Sequence, residues 1–384
     1  MSDKLPTTWV PGLEGIVAAQ TRLSRVDGQA GELIIAGFRV EELAGNASFE
    51  ETVYLLWHDE LPNAGQLTAF RQELAAQREL PQAALDLLRA ATTKNVPVMD
   101  ALRMATASLS LEATAISTIA EAQRDAIILA AKFPTIVAAY KRLLHGREPL
   151  LPRADLGHAA NFLYMLSGER PSEERTRSLE TYLNTVSDHG LNASTFAARV
   201  IISTQSDMIS AVTGAVGALK GPLHGGAPGP ALDMVFEIGE AGKAEPYIRA
   251  KLARGERLMG FGHRVYKVRD PRAEVLSLAA KRLYRVDGDM ALYELAREVE
   301  RTAVTLLAEY KPERKLQTNV EFYTALLLHG LGLDTGLFTP TFAIGRVAGW
   351  TAHCLEQLGD NRLFRPQSVY TGVKNRRWAP VEER

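Results

Sequence analysis

Helix-start signals recur along this chain, each ahead of an apolar pattern of helical period, and they restrict it to a mainly helical fold. Ser48 with Glu51 forms a capping box before VYLLW, and Asn63 with Gln66 repeats the arrangement. Ser206-Asp207 opens an apolar run that ends at Gly221-Pro222. Asp270-Pro271 supplies a side-chain cap and a proline at the first helical position. Beyond it, Val275, Leu276, Ala279, Ala280 and Leu283 share one face. Thr339-Pro340 predicts another start of the same kind. Strand-like alternation is confined to short patches such as 32–40. The expected fold class is all-α, with no internal repeat and no low-complexity stretch.

At 384 residues the chain exceeds one small core and implies one large domain or two lobes. Its 44 basic and 45 acidic residues nearly cancel, so nothing in the overall charge draws it to nucleic acid or to an anionic membrane. No apolar run reaches the ~18 residues of a membrane span; Lys132 and Pro134 interrupt the best stretch. The N-terminal residues lack the basic-then-apolar order of a signal peptide. The single cysteine, Cys354, allows neither an intramolecular disulfide nor a cysteine-based metal site. A cytoplasmic enzyme is expected, without membrane or nucleic-acid partners.

Glycine and proline gather at 221–230 (GPLHGGAPGP) and 260–262 (GFG), where backbone can approach a ligand closely. Each loop carries a histidine, His224 or His263, placed so that an imidazole can face a ligand. GFGHRV has Val265 where a dinucleotide fingerprint needs its third glycine, and no strand precedes it. No P-loop, H-E-x-x-H or G-x-S-x-G motif occurs. These negatives leave acid–base chemistry without a metal or redox cofactor. Arg346 lies in a helix otherwise apolar or small, where counting by turns sets Phe342, Arg346, Trp350 and His353 on one face. Arg272 falls in the first turn after Asp270-Pro271, and Arg365 on a late loop. Three such arginines suit a small substrate with more than one carboxylate. Glu321, at the start of an apolar helix, reads either as a dipole-stabilised first-turn acid or as a general base.

Together these segments resemble the citrate synthase family nearly end to end. GLEGIVAAQT, FEETVYLLW, DHGLNASTFAARV (188–200), GPLHGG (221–226), MGFGHRVYK (259–267) with DPRA, NVEFY (319–323), and GRVAGWTAH followed by RPQSVYTG stand in family order. The resemblance implies an all-α, two-lobed fold: a large lobe of 1–223 and 329–384, and a small mobile lobe of 224–328. It implies condensation of acetyl-CoA with oxaloacetate to citrate and free CoA, with no further cofactor and no metal. The alternatives are 2-methylcitrate synthesis from propionyl-CoA and an impaired paralogue that only binds CoA or a dicarboxylate. Glu321 would take the methyl proton, His224 would hydrogen-bond the forming enol, and His263 would polarise the ketone. His189, Arg272, Arg346 and Arg365 would hold oxaloacetate, Arg365 being lent by the second subunit of a homodimer. Leu258, Met259, Gly260, Phe261 and Gly262 would read the CoA adenine, with Arg264 and Lys267 toward its phosphates.

Two positions depart from the family's pattern. The usual base is aspartate, where this chain has Glu321, one methylene and about 1.5 Å longer in reach. HGGA is often followed by Asn-Glu, where this chain has Pro228-Gly229.

Overall fold

A computed structural model describes residues 9–111, 118–225, 228–263, 265–266 and 268–384. Near the N-terminus a small antiparallel sheet pairs β1 (Ser24–Asp27) with β2 (Glu32–Ile35) and β2 with β3 (Phe38–Arg39). The alternation over 32–40 thus divides into β2 and β3, and a helix begins at Val40. β1 carries no alternation strong enough to be read from its sequence; pairing with β2 fixes it.

The helices that follow are α1 (Val40–Asn46), α2 (Phe49–His58), α3 (Ala64–Ala76), α4 (Gln82–Thr92), α5 (Val98–Ser108) and α6 (Ile119–Leu144). Next come α7 (His158–Ser167), α8 (Glu173–Val186), α9 (Ala193–Ser203), α10 (Met208–Leu219) and α11 (Pro228–Ile238). The chain ends with α12 (Ala244–Ala253), α13 (Pro271–Asp287), α14 (Met290–Tyr310), α15 (Val320–Gly330) and α16 (Phe338–Gly359), then an extended tail. The all-α expectation holds. Both capping boxes form as read, and Asp207 and Asp270 cap α10 and α13.

The expected start at Thr339-Pro340 is displaced. α16 begins at Phe338 behind a 3₁₀ turn, and the Thr339 hydroxyl donates instead to the Gly225 carbonyl, 2.6 Å away beside His224. A tertiary contact has taken the group that would otherwise have capped the helix. Pro134 does not end α6, which runs 26 residues through it, and Lys132 is buried with its ammonium on the Glu79 carbonyl. No helix among the described residues is long and apolar enough to cross a membrane.

α16 runs through the core, packed by α2, α6, α8, α9 and α10, and is buried nearly all round, as its apolar sequence requires. On the other side, α13 packs against α15 and also reaches α1 and α8. Two glycines one turn apart set how close α16 comes to the end of α8. A Cβ on Gly345 would sit 2.9 Å from the Leu183 carbonyl oxygen, and one on Gly349 only 2.3 Å from that of Ser187. Gly349 N–H donates to the Ser187 carbonyl at 3.1 Å. One turn earlier, the Arg346 guanidinium meets the end of α8.

Gly349→Ala would therefore force α16 off its neighbour, an overpacking cost of roughly 1–3 kcal/mol. Gly359→Ala, where a Cβ meets nothing within 4 Å, should leave stability unchanged or slightly raised. Denaturant melts of the two variants should separate clearly.

Candidate active site

Arg346 is buried, with Nε donating to the Val186 carbonyl at 2.6 Å and its guanidinium 4.6 Å from the centre of the Phe342 ring. Burial drives its pKa down to about 10; Asp188 pulls it back up in part, against a smaller downward push from Arg272. Arg272 is also buried, held by Asp270 through Nε–Oδ1 at 3.0 Å and Nη2–Oδ2 at 2.8 Å. Burial works against this charge too, but the Asp270 carboxylate outweighs it and holds the pKa above the ordinary arginine value. Asp270 has three duties at once. It caps α13 through Arg272 N–H, accepts from Val320 N–H at the start of α15 (3.2 Å), and fixes the Arg272 fork.

Three imidazoles share this ground. Nδ1 of His263 accepts from the Val265 and Tyr266 N–H groups at 3.0 and 3.1 Å, so in the neutral ring the proton sits on Nε2. That Nε2 lies 3.5 Å from Nη2 of Arg272. Two donors side by side need an acceptor between them, which a carbonyl or carboxylate oxygen can supply. His189 contacts the Tyr266 hydroxyl through Nε2 at 3.1 Å, and its ring centre is 6.0 Å from that of His263. Burial, then Arg272, Arg346 and His263, hold its pKa well below the ordinary value, so the ring is neutral at pH 7.

His224 is pinned from behind. Its Nε2 lies 2.8 Å from Ser194 Oγ, which accepts from Trp350 Nε1 at 3.0 Å and touches Asn192 Oδ1 at 2.7 Å. Asn192 Oδ1 already caps α9 through two N–H groups. Ser194 has one hydrogen to give. Given to Asn192 Oδ1, it leaves the imidazole proton on His224 Nε2; given to His224 Nε2, it leaves that proton on Nδ1. Burial, aided by Arg346, brings the His224 pKa to about 4, so the ring is neutral at pH 7.

Glu321 occupies the first turn of α15, behind the Asn319 cap. Its carboxylate has no hydrogen bond or ion pair among the described residues. Burial raises its pKa; Arg272 lowers it and Asp270 raises it further. A poorly solvated carboxylate is a better base, and here the helix N-terminus keeps it ionisable.

The GFG loop is stitched to the same helix start. Gly262 N–H donates to the Gln317 carbonyl (2.7 Å), Asn319 N–H to that of Gly260 (3.0 Å), and Asn319 Nδ2 to that of Gly262 (2.8 Å). Gly260 and Gly262 have φ of +86° and +84°, a region that side chains disfavour. Leu258 is buried; Met259 and Phe261 pack partly buried against the core.

Of the residues picked from sequence, His189, His224, His263, Arg272, Arg346 and Glu321 converge. Arg365 does not join them within this chain: it stands exposed on the tail after α16. Arg264 and Lys267 lie outside the described residues. The face counted on α16 is real, with Trp350 on Ser194 and His353 within 3.2 Å of Asp188. Sequence reading missed Tyr266, Asp270 as the Arg272 clamp, Ser194, and Asp188 near Arg346. It also missed Tyr182, whose buried hydroxyl is unpartnered among the described residues and lies within electrostatic reach of Arg346, Arg272 and Glu321. Only Asp270 carried a local signal, its capping position; the others act through neighbours distant in sequence.

The citrate synthase C-terminal domain family matches residues 12–367. The chain belongs to the citrate synthase family. It is 46% identical over 375 residues to citrate synthase 2 of Bacillus subtilis (strain 168), covering 97% of this chain and 98% of that one. It is 40% identical over 368 residues to a 2-methylcitrate synthase of Mycobacterium tuberculosis, covering 95% and 91%. Among solved structures, it superposes with a TM-score of 0.88 on the citrate synthase of Thermoplasma acidophilum in ternary complex with carboxymethyl coenzyme A and oxaloacetate. That pair is 30% identical, with 97% and 98% of the chains covered.

Ser194→Ala keeps the backbone cap of α9 but frees the His224 ring. The expected result is a fall in kcat of about tenfold to a hundredfold, as for other small misplacements of a reacting group. The KM for the dicarboxylate substrate should barely move, since Ser194 does not reach the arginines. Steady-state kinetics on the variant separates the two constants.

Proposed function

We propose that this chain condenses acetyl-CoA with oxaloacetate, giving citrate and free CoA. The observation that carries the reading is the pair of buried guanidiniums, Arg272 and Arg346, set among neutral histidines beside a poorly solvated carboxylate. In this reading, oxaloacetate lies on Arg272, Arg346 and His189, its two carboxylates offsetting two cations that burial leaves poorly solvated. His263 Nε2–H points at the ketone oxygen. Glu321 takes a proton from the acetyl methyl group while His224 Nδ1–H supports the enol oxygen. The enol carbon attacks the ketone carbon, and the new alkoxide is stabilised by His263. Water then cleaves the thioester of the citryl-CoA intermediate, releasing citrate and CoA. A thioester methyl is a very weak acid, so preplaced donors at the forming oxyanion are what make so weak a base sufficient.

The 258–262 loop, with its backbone tied to the start of α15, serves the CoA adenine, with Arg264 and Lys267 toward the phosphates. The small lobe of 224–328 closes over both substrates. Arg365 enters the oxaloacetate site of a second copy, which makes the homodimer the catalytic unit. The tail supports this: Leu363, Val369, Tyr370, Val373 and Trp378 are each more than half exposed, a density of apolar surface that a partner chain would cover. A cytoplasmic location accords with the single, buried thiol of Cys354.

Purified protein should release CoA from acetyl-CoA only when oxaloacetate is present, faster than from propionyl-CoA. One methyl group is worth only about 1–3 kcal/mol in an acyl pocket, so the preference should be measurable rather than absolute. Faster turnover of propionyl-CoA would reassign the chain to 2-methylcitrate synthesis. Substrate binding without CoA release would make it a non-catalytic binder.

The shared site has its own test. Glu321→Gln should lose about 10²- to 10⁴-fold in kcat, and Arg365→Ala should bind oxaloacetate poorly. Mixed and refolded together, the two inactive variants should regain activity, because each hybrid dimer contains one intact site. No recovery, with hybrids shown to form, would place Arg365 outside the site.

A further inference from the structure

The β1–β2 hairpin supplies none of the catalytic groups, yet it touches two of the loops that carry them. Ser24, the first residue of β1, reaches the loop of His189. Its Oγ donates to Asp188 Oδ2 at 2.5 Å and accepts from Gly190 N–H at 2.7 Å. One hydroxyl thus grips the residues on either side of His189. Val26, further along β1, packs beside Gly190, whose φ is +62°: a Cβ there would lie 3.7 Å from Val26 Cγ2.

The turn of the hairpin meets the other loop. A Cβ on Gly28 would sit 2.2 Å from the Val265 carbonyl oxygen and 2.8 Å from its carbon. One on Gly31, with φ of +68°, would sit 2.5 Å from Val268 Cγ2. So close an approach leaves no room for a side chain. The turn holds its own shape: Asp27 Oδ1 accepts from the N–H groups of Gln29 and Ala30, and Gly31 N–H donates to the Asp27 carbonyl. The segment it abuts is tied at both ends, Gly262 N–H to the Gln317 carbonyl and Asp270 N–H to that of Thr318. Between those ends, the bare turn packs directly on the backbone of Val265.

Tyr266, the next residue, is buried among the substrate-facing groups. Its N–H donates to His263 Nδ1, its hydroxyl meets His189 Nε2, and the Arg272 guanidinium lies 5.8 Å from its ring centre. The ring centres of His263 and His189 are 4.9 and 5.7 Å from its own. One residue therefore orients two imidazoles and flanks a guanidinium, three of the groups assigned to the keto acid. We propose that the hairpin is a positioning element of the oxaloacetate site. Ser24 holds the His189 loop, and the bare turn at Gly28 seats Val265 so that Tyr266 bridges His189 and His263. Gly28 and Tyr266 act through the histidines rather than on the reacting atoms. The identity of the keto acid rests on the condensation reading; the seat at Gly28 does not.

Two readouts on the full-length protein keep the seat and the reaction apart. The first is hydrogen exchange at the Val265 and Tyr266 amides, both bonded to His263 Nδ1. Gly28→Ala should speed it at least about tenfold without substrate, leaving α10 and α16 unchanged. The second is steady-state CoA release. Gly28→Ala should lower kcat and raise the KM for oxaloacetate, each at least about tenfold, because both histidines lose their setting. Tyr266→Phe keeps the ring and the amide, so that KM should rise at least about fivefold while kcat stays within about twofold. Gln29→Ala, exposed on the same turn, should match the wild type in both readouts. Wild-type exchange in Gly28→Ala overturns the seat, as does faster exchange throughout α10 and α16, which would make Gly28 a general stability residue. A wild-type KM in Tyr266→Phe overturns the bridge, whether or not Gly28→Ala folds. Should the wild-type chain release no CoA, the condensation reading fails by itself. Exchange then still decides the seat, and calorimetric binding of oxaloacetate to Tyr266→Phe decides the bridge.

Discussion

Arg272 and Arg346 are buried near enough to one another that each guanidinium works against the other's charge. In a low-dielectric interior such a pair persists only where fixed partners hold it. Arg272 has the Asp270 carboxylate in a two-point grip. Arg346 has the Val186 carbonyl, the face of Phe342, and Asp188 at longer range. Asp188 is itself fully buried. Burial alone would raise its pKa, but His353 and Arg346 hold it below the ordinary carboxylate value. His353 accepts from Arg199 at Nδ1 (3.2 Å), which leaves Nε2 to carry the proton toward Asp188. Ser24, from β1, donates to the same carboxylate at 2.5 Å. The N-terminal hairpin, the end of α8, α9 and α16 are thus all committed to holding one positive charge in place.

Burial keeps two of the histidines neutral, and the cations add to it: Arg272 and Arg346 at His189, Arg346 at His224. With neighbouring guanidiniums and little water, His189 and His224 cannot take up a proton near neutral pH. On the proposed reading, a site that binds a dicarboxylate with two cations gains from neutral imidazoles. They donate hydrogen bonds to developing oxyanions without adding charge that the empty site would have to support. The glutamate responds in the opposite sense: the desolvation that keeps the histidines neutral raises the proton affinity of Glu321. Acid–base roles diverge here because one environment acts on groups of opposite charge type.

What was legible in the sequence follows from the range of the interactions. The caps at Ser48, Asn63, Asp207 and Asp270 could be read because a capping side chain meets backbone only two or three residues away. Thr339 could not, because its hydroxyl serves Gly225, more than a hundred residues earlier in the chain. His224 and His263 were visible through their glycine-rich loops, and Arg346 through its incongruity in an apolar helix. Tyr266, Ser194 and Asp188 look ordinary in sequence; they matter only through what the fold sets beside them. β1 was illegible for the same reason, since its four residues are strand only by pairing with β2.

Glutamate in place of the family's usual aspartate acquires a structural context from the start of α15. Asn319 caps the helix with its side-chain oxygen and ties down the Gly262 carbonyl with its amide nitrogen, while its own N–H holds the Gly260 carbonyl. Asp270 fixes the next N–H, that of Val320, with the carboxylate that also orients Arg272. The backbone beneath Glu321 is therefore locked both to the loop assigned to CoA and to the arginine assigned to oxaloacetate. A longer side chain on a fixed base brings its carboxylate further into the space between them.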